Sequence, residues 1–329
     1  MDELSDLTHP NLIQRIASVT HGQKRLLMFL WADGGNLSDF WTNCPKPDIS
    51  ANLVKDIVHQ LRGMADALQE LHNFGEKLKV RKPDHPNAEY HYRHGDIKPA
   101  NILCFPDEDG SPVGKLVISD LGSAQHHSVA TRIRERTTGK AWATKMYEPP
   151  ESETKKLAAS SRLHDIWSMG CVTLEFMIWL LYGVAELNAF RTAIEKEDVP
   201  ASFFVVEEKG DASQKVAKLH PVVKARLSSL AQDARCQPNT ALGDLLEIIE
   251  TKLLVIKIPE HTPSNQTNNV VVTGSEDDID SSARIPVQVS VSSDEAHDVV
   301  ETRRLEDDSE DSEESGGIQG KIVVTAPVR

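Results

Sequence analysis

Four residues combine types and spacing that suit phosphate chemistry: Asp96, Lys98, Asn101 and Asp120. Asn101 stands directly before a β-type run at 102–105, and Asp120 directly after another at 115–119. The stretch 106–114 between them carries Asp109-Gly110, so the two runs read as a hairpin. Partners across an antiparallel ladder lie about 5 Å apart, which brings Asn101 beside Asp120. An amide oxygen and a carboxylate so placed suit a magnesium ion that also keeps water and phosphate ligands. Asp96, five residues before Asn101, is then positioned to accept a proton near that metal, and Lys98 to hold a phosphate oxygen. Taken singly, such a residue reads as a satisfied Asx turn on a loop.

Elements able to position these groups are visible on both sides. Two apolar-rich runs at 11–19 and 24–32, separated by His21-Gly22-Gln23, predict a hairpin of strands. From 53 to 71 the apolar residues Val54, Ile57, Val58, Leu61, Met64, Ala65, Leu68 and Leu71 recur at helical spacing, with Ser50 or Asn52 as the cap. Residues 75–93 are charged and hold Pro83 and Pro86, which predicts a surface insertion. Helical patterns follow at 163–187, 220–232 and 240–256, and no internal repeat is visible. The run 171–187 is shorter than the roughly 20 residues needed to span a bilayer and reads as a buried core helix.

Charge divides the chain in two. Residues 259–329 carry 16 acidic and 5 basic side chains, a net −11 of the −14 total, so 1–258 is nearly neutral. Such a balance argues against nucleic-acid or anionic-membrane binding, which needs clustered Lys and Arg. The tail is rich in Pro, Ser, Thr, Asn, Asp and Glu and buries too little apolar surface to offset its chain entropy, so disorder is expected. Cys44, Cys104, Cys171 and Cys236 have no paired spacing, which points to a reducing, intracellular compartment, cytoplasmic or nuclear. The start has no signal-peptide pattern.

Taken together, the segments resemble the protein kinase family. His94-Gly-Asp-Ile-Lys-Pro-Ala-Asn101 resembles its catalytic loop, and Asp120-Leu-Gly122 its magnesium-binding Asp-Phe-Gly. His9-Pro-Asn-Leu-Ile13 looks like the turn after the regulatory helix. Leu30-Trp-Ala-Asp-Gly-Gly-Asn-Leu37 looks like the hinge that holds adenine, with Phe29 as gatekeeper. Thr144-Lys-Met-Tyr-Glu-Pro-Pro-Glu151 resembles the substrate-side loop, and Asp165-Ile-Trp-Ser-Met-Gly170 the start of the central helix. The order and spacing hold from residue 9 to about 187, more loosely to about 256. The resemblance implies an α+β, protein kinase-like fold: mainly the helical C-terminal lobe, remnants of the N-terminal sheet, and a disordered tail. The implied domains are 1–258 and 259–329.

The same resemblance assigns roles. Asp96 becomes the catalytic base and Lys98 the charge on the transferring phosphoryl group. Asn101 and Asp120 become Mg2+ ligands, and Leu30, Ala32, Lys98, Asn101 and Asp120 contacts to ATP and its metal. Lys98 in that place is the serine/threonine form, so the implied activity is ATP-dependent transfer to Ser or Thr of a protein substrate. Asp165 is expected to hold the loop backbone, His94 to be a packed residue, and Arg235 is a possible partner for Glu151.

Departures from the pattern point to a second reading. Gly95 replaces an arginine that binds activation-loop phosphate, Leu121 replaces phenylalanine, and Arg15 falls where an apolar residue is usual. The stretch 125–140 sets Ser128, Thr131, Thr137 and Thr138 among Arg132, Arg134, Arg136 and Lys140, which reads as a solvated basic loop or a site for an acidic partner. Nothing before His9 matches the glycine-rich loop, the strand lysine or the helix glutamate. Weak activity of this chain alone is therefore expected, and the alternative function is a catalytically impaired pseudokinase or truncated kinase acting as an interaction module. In the tail, 270–278 and 287–295 each set an apolar run before acids, a pattern for strand addition to a protein partner such as a small ubiquitin-like modifier. Ser309 and Ser312, flanked by acids, suit an acid-directed kinase.

Overall fold

The computed structural model describes residues 3–21, 24–81, 92–107, 110–121, 125–126, 145–154, 162–197, 201–209, 214–256 and 322–325. All but the first two residues of the basic stretch 125–140, and most of the acidic tail, lie outside these described residues. In chain order the elements are β1 (Arg15–His21), β2 (Lys24–Leu30), α1 (Leu37–Asn43), α2 (Ala51–Arg81), β3 (Tyr92–Arg93), β4 (Ile102–Phe105), β5 (Lys115–Ile118) and β6 (Gln125–His126). They continue through α3 (Glu151–Thr154), α4 (Leu163–Tyr182), α5 (Val184–Glu197), β7 (Phe204–Lys209), β8 (Gln214–Leu219), α6 (Pro221–Gln232), α7 (Ala241–Ile248) and β9 (Ile322–Thr325). Strands pair as β1-β2-β9, β3-β6, β4-β5 and β7-β8 beside a helical core, which is the α+β arrangement expected.

Helix α2 starts at Ser50, whose Oγ accepts the Leu53 N–H at 3.1 Å, so Ser50 rather than Asn52 is the cap. Leu53, Ile57, Leu61, Met64, Leu68 and Leu71 form its buried face. Val58 and Ala65, counted in the apolar stripe, are exposed. The helix also runs on to Arg81, which corrects the surface insertion expected from residue 75. Residues 75–81 after Gly75 are good helix formers, and the first proline comes only at 83.

Helix α4 is buried on nearly every side from His164 to Leu181, the mark of a helix inside a core. It is long and apolar enough to cross a membrane by those criteria alone, but 89% of that stretch is buried within the protein. The single helix expected over 163–187 breaks at Gly183, where φ is 85° and the N–H turns back to Trp179 O at 2.8 Å. A Cβ there would meet Pro45 O at 2.6 Å. Trp179 Nε1 also donates to Cys44 O at 2.8 Å, tying α4 to the end of α1.

The β7–β8 hairpin had no counterpart in the sequence reading. Its base is anchored by aromatic contacts: Phe203 packs on Tyr147 and Phe190, and Phe204 on Trp167. A second departure lies in the tail, where Ile322–Thr325 pairs with β2 through Leu30↔Ile322, Phe29↔Val323, Met28↔Val324 and Leu27↔Thr325. For these four residues the expectation of disorder gives way to a strand, because Ile-Val-Val-Thr is uncharged and wholly β-branched while β2 has an edge to pair.

Below the site, Glu175 is fully buried and accepts hydrogen bonds from Arg191 Nε at 2.7 Å, Arg191 Nη2 at 2.8 Å and Tyr147 Oη at 2.9 Å. Burial pushes the Tyr147 phenol well above its usual range, and Glu175 adds to that. Burial alone would lower the Arg191 guanidinium, but Glu175 outweighs it and holds it above its usual range. Removing one member of a buried pair strands the other charge. Arg191→Ala is expected to lower stability by about 3–5 kcal/mol, read as a fall in the denaturant midpoint at unchanged slope, with Arg191→Lys retaining part of the loss.

Candidate active site

The loop 94–101 leaves β3 and enters β4, and its backbone hangs from one carboxylate. Asp165 Oδ2 accepts the His94 N–H at 2.8 Å and His72 Nε2 at 2.7 Å, while Oδ1 accepts the Gly95 N–H at 2.8 Å. Burial would raise the Asp165 pKa, but the His72 hydrogen bond, with electrostatic attraction to the imidazoles of His72, His94 and His164, outweighs it and holds it well below the usual carboxylate range. Asp165 therefore does what the sequence assigned to it. His94 is fully buried, sets Nε2 against Ser119 O at 2.8 Å and accepts the Asp96 N–H on Nδ1 at 3.3 Å. A carbonyl only accepts, so Nε2 carries the proton and His94 is a packed, bridging residue.

The predicted site residues converge. Asp96 Oδ2 accepts Lys98 Nζ at 2.6 Å and Asn101 Nδ2 at 2.9 Å, and the Asp96 carbonyl accepts the same Nδ2 at 2.8 Å. Both Asn101 donations go to Asp96, so Oδ1 is the atom Asn101 offers to a cation. The β4–β5 ladder runs Ile102↔Ile118 and closes with Ser119 N to Asn101 O at 2.8 Å. Asp120 is the next residue along, in the left-handed region at φ 61°, a conformation a non-glycine residue holds only at some cost. Among the described residues no group of three or more His, Cys, Asp or Glu side chains clusters as a metal site. An amide oxygen with one carboxylate fits magnesium, a hard cation that fills its shell with water and phosphate oxygens.

Segment 30–37 is tied to the same strand through Gly34 and Gly35. Gly34 N donates to Cys104 O at 3.1 Å and Cys104 N to Gly35 O at 2.9 Å. A Cβ at Gly34 would lie 2.6 Å from Cys104 O, so the approach requires glycine. Ala32 is buried, whereas Leu30, the last residue of β2, keeps 43% of its surface exposed. Strand β4 thus fixes segment 30–37 at one point and Asn101 at its start.

Three features escaped the sequence reading. Gly95 has φ 79°, so the glycine in place of arginine suits the left-handed backbone of this loop. Arg93, two residues earlier, puts a guanidinium in the fields of Asp165 and Glu148, where burial nonetheless lowers its pKa; an arginine beside His94 was the available signal. Arg235 pairs with Asp233 at 2.7 Å and reaches Leu181 O at 3.2 Å, which corrects its assignment to Glu151: a carboxylate two residues away is the shorter reach. Gly122 and residues 127–144, which include all of the basic stretch 125–140 except Gln125 and His126, lie outside the described residues.

A family model described as protein kinase domain matches residues 1–182, ending with α4. The chain is 30% identical over 183 residues to MAP kinase kinase kinase wis4 of Schizosaccharomyces pombe, covering 54% of this chain and 11% of that protein. It is 26% identical over 229 residues to Aurora kinase of the same yeast, covering 69% and 54%. It is 25% identical over 236 residues to mitogen-activated protein kinase kinase kinase YODA of Arabidopsis thaliana, covering 70% and 23%. The chain thus spans from about a tenth to about half of the length of these relatives.

Two outcomes follow from this geometry. Asp165→Asn is expected to cost about 3 kcal/mol, measured by equilibrium unfolding, because it removes a buried charge with three donors around it. Burial, with the Asp39 charge adding to it, pushes the Cys104 thiol up to about 12. Iodoacetamide at pH 8 should therefore leave Cys104 intact while half-buried Cys44 reacts, as read by peptide mass spectrometry.

Proposed function

The chain belongs to the protein kinase family, and from that premise we propose that it binds ATP with magnesium and transfers the γ-phosphoryl group to a Ser or Thr hydroxyl of a protein. The observation that carries this reading is the single network joining Asp96, Lys98 and Asn101 beside Asp120. Lys98 and Asn101 both engage Asp96 Oδ2, which leaves Oδ1 to accept the proton of the attacking hydroxyl as its oxygen forms the bond to phosphorus and ADP departs. Lys98 places its ammonium where charge on phosphate oxygens must be balanced. Asn101 Oδ1 and the Asp120 carboxylate would hold magnesium, which supplies neutralisation of the phosphate charge when bound. Leu30 and Ala32 would hold the adenine at the hinge.

The second reading is a catalytically impaired interaction module, and one observation favours it. The strand beside β2 is Ile322-Val-Val-Thr325, which adds no cation for the phosphates. On either reading the partner is a protein, and the tail segments 270–278 and 287–295, outside the described residues, are proposed to donate strands to one. All four cysteines are free, which supports an intracellular, reducing location.

The test is the thermal midpoint of the chain with and without magnesium-ATP. At about a hundredfold over the dissociation constant, binding should add roughly 2.7 kcal/mol, and Asp120→Asn or removal of magnesium should abolish the gain. Asp96→Asn should keep the gain yet lower transfer to a protein substrate by about 10²-fold or more. A cooperatively folding sample with no metal-dependent gain would defeat the nucleotide-binding reading.

A further inference from the structure

The turn of the β4–β5 hairpin is joined to α2 by one hydroxyl and one carboxylate. Ser111 Oγ donates to Asp56 Oδ2 and accepts the Gly114 N–H at 3.0 Å. The same Oδ2 accepts the Val113 N–H at 3.0 Å. Beyond this contact the turn faces outward. Gly110 and Pro112 are exposed, and residues 110–114 are neither helix nor strand. A Cβ at Gly110 would have no heavy atom within 4 Å.

The serine that makes the contact is followed by proline, which favours an extended backbone at Ser111. A hydroxyl on such a segment, with proline next in sequence, is what proline-directed protein kinases take as substrate. Thr262-Pro263 is the one other Ser-Pro or Thr-Pro pair in the sequence. A carboxylate contact makes Ser111 sensitive to the charge that modification adds, because phosphate beside Asp or Glu disrupts by like-charge repulsion.

We propose that Ser111 is a phosphorylation site for a proline-directed protein kinase, and that its phosphate releases the hairpin turn from α2. Ser111 Oγ forms a bond to the γ-phosphorus of ATP, the bond from that phosphorus to its bridging oxygen breaks, ADP leaves, and the hydroxyl proton passes to the modifying kinase's base. The product has no proton to give Asp56 and sets a charge of about −1.5 to −2 against its carboxylate. As the turn lifts, the Val113 N–H loses its acceptor and the ladder opens from Phe105↔Lys115 inward to Cys104↔Leu116. Cys104 ties the strand to Gly34 and Gly35, and the far end of the hairpin carries Asn101 and Asp120. The effect on magnesium-ATP chemistry rests on the function proposed above; the site and the release do not.

The test is incubation of the full chain with an active proline-directed kinase and magnesium-ATP, then removal of nucleotide, phosphopeptide mapping and hydrogen exchange read by mass spectrometry. Ser111→Ala and Asp56→Asn are treated alongside, with α4 as the control for folding in each. Phosphate is expected on the Ser111 peptide and absent from it in Ser111→Ala. Amides of 103–105 and 113–118 should then exchange at least about tenfold faster than in the unmodified chain, with α4 unchanged. Asp56→Asn keeps an acceptor but not the charge, so there the acceleration should fall to about threefold or less. Absence of phosphate at Ser111 would overturn the proposal, whether or not Thr262 is modified. So would phosphorylation that leaves exchange unchanged, or that slows it because Lys55 or Lys115 captures the phosphate. Equal acceleration in wild type and Asp56→Asn would also overturn it, by assigning release to the lost hydroxyl donor alone.

Discussion

The arrangement of the site depends first on the Asp165 carboxylate. It lies fully buried on α4 and gathers one donor from α2 and two from the loop backbone. Hydrogen bonds to a charged acceptor are worth about 1.5–3 kcal/mol each, and a buried charge deprived of them is costly. The cost enforces the geometry: α4 cannot sit in the core unless His72 and the His94-Gly95 backbone come to it. Asp96, Lys98 and Asn101 then follow on a loop whose entrance is fixed and whose exit is the first residue of β4.

Strand β4 carries the second constraint, because it serves two ends of the cleft. Asn101 at its start pairs through its carbonyl with Ser119, and Cys104 pairs with Gly34 and Gly35. Gly34, Gly35 and Asn101 are therefore referenced to one short strand, itself held from α2 and the N-terminal segment. Gln60 Oε1 accepts the Leu116 N–H at 3.0 Å and Asn11 Nδ2 donates to Leu116 O at 2.7 Å. Asp56 accepts the hydroxyl of Ser111 and the Val113 N–H, closing the turn of the same hairpin. Polar side chains of α2 thus fix the register of a hairpin that the helix's apolar face alone would leave free to slide.

What could be read from the sequence was what is local. The six-residue span from Asp96 to Asn101, the β4–β5 hairpin and the α2 stripe are short-range patterns, and they placed the site residues together without any coordinates. What could not be read depends on contacts between distant segments. Glu175 finds Arg191 only because α4 ends at Gly183 and α5 turns back beside it, and Gly183 is demanded by Pro45, far away in the chain. The β7–β8 strands alternate weakly, and their anchors, Phe203 and Phe204, need Tyr147 and Trp167 in place first. The strand at 322–325 was hidden by the acidic composition around it, since averages over a tail conceal four uncharged residues.

The glycine at 95 shows how a departure from a family pattern can change chemistry while keeping shape. At φ 79° a side chain costs energy and glycine costs little, and the contact that matters at this position is the N–H to Asp165 rather than anything a side chain would add. Alignment of Asp96 in this structure therefore owes nothing to a cation at position 95. The nearby guanidinium is at Arg93, within the fields of Asp165 and Glu148. A loop aligned by a buried carboxylate is set when the core packs.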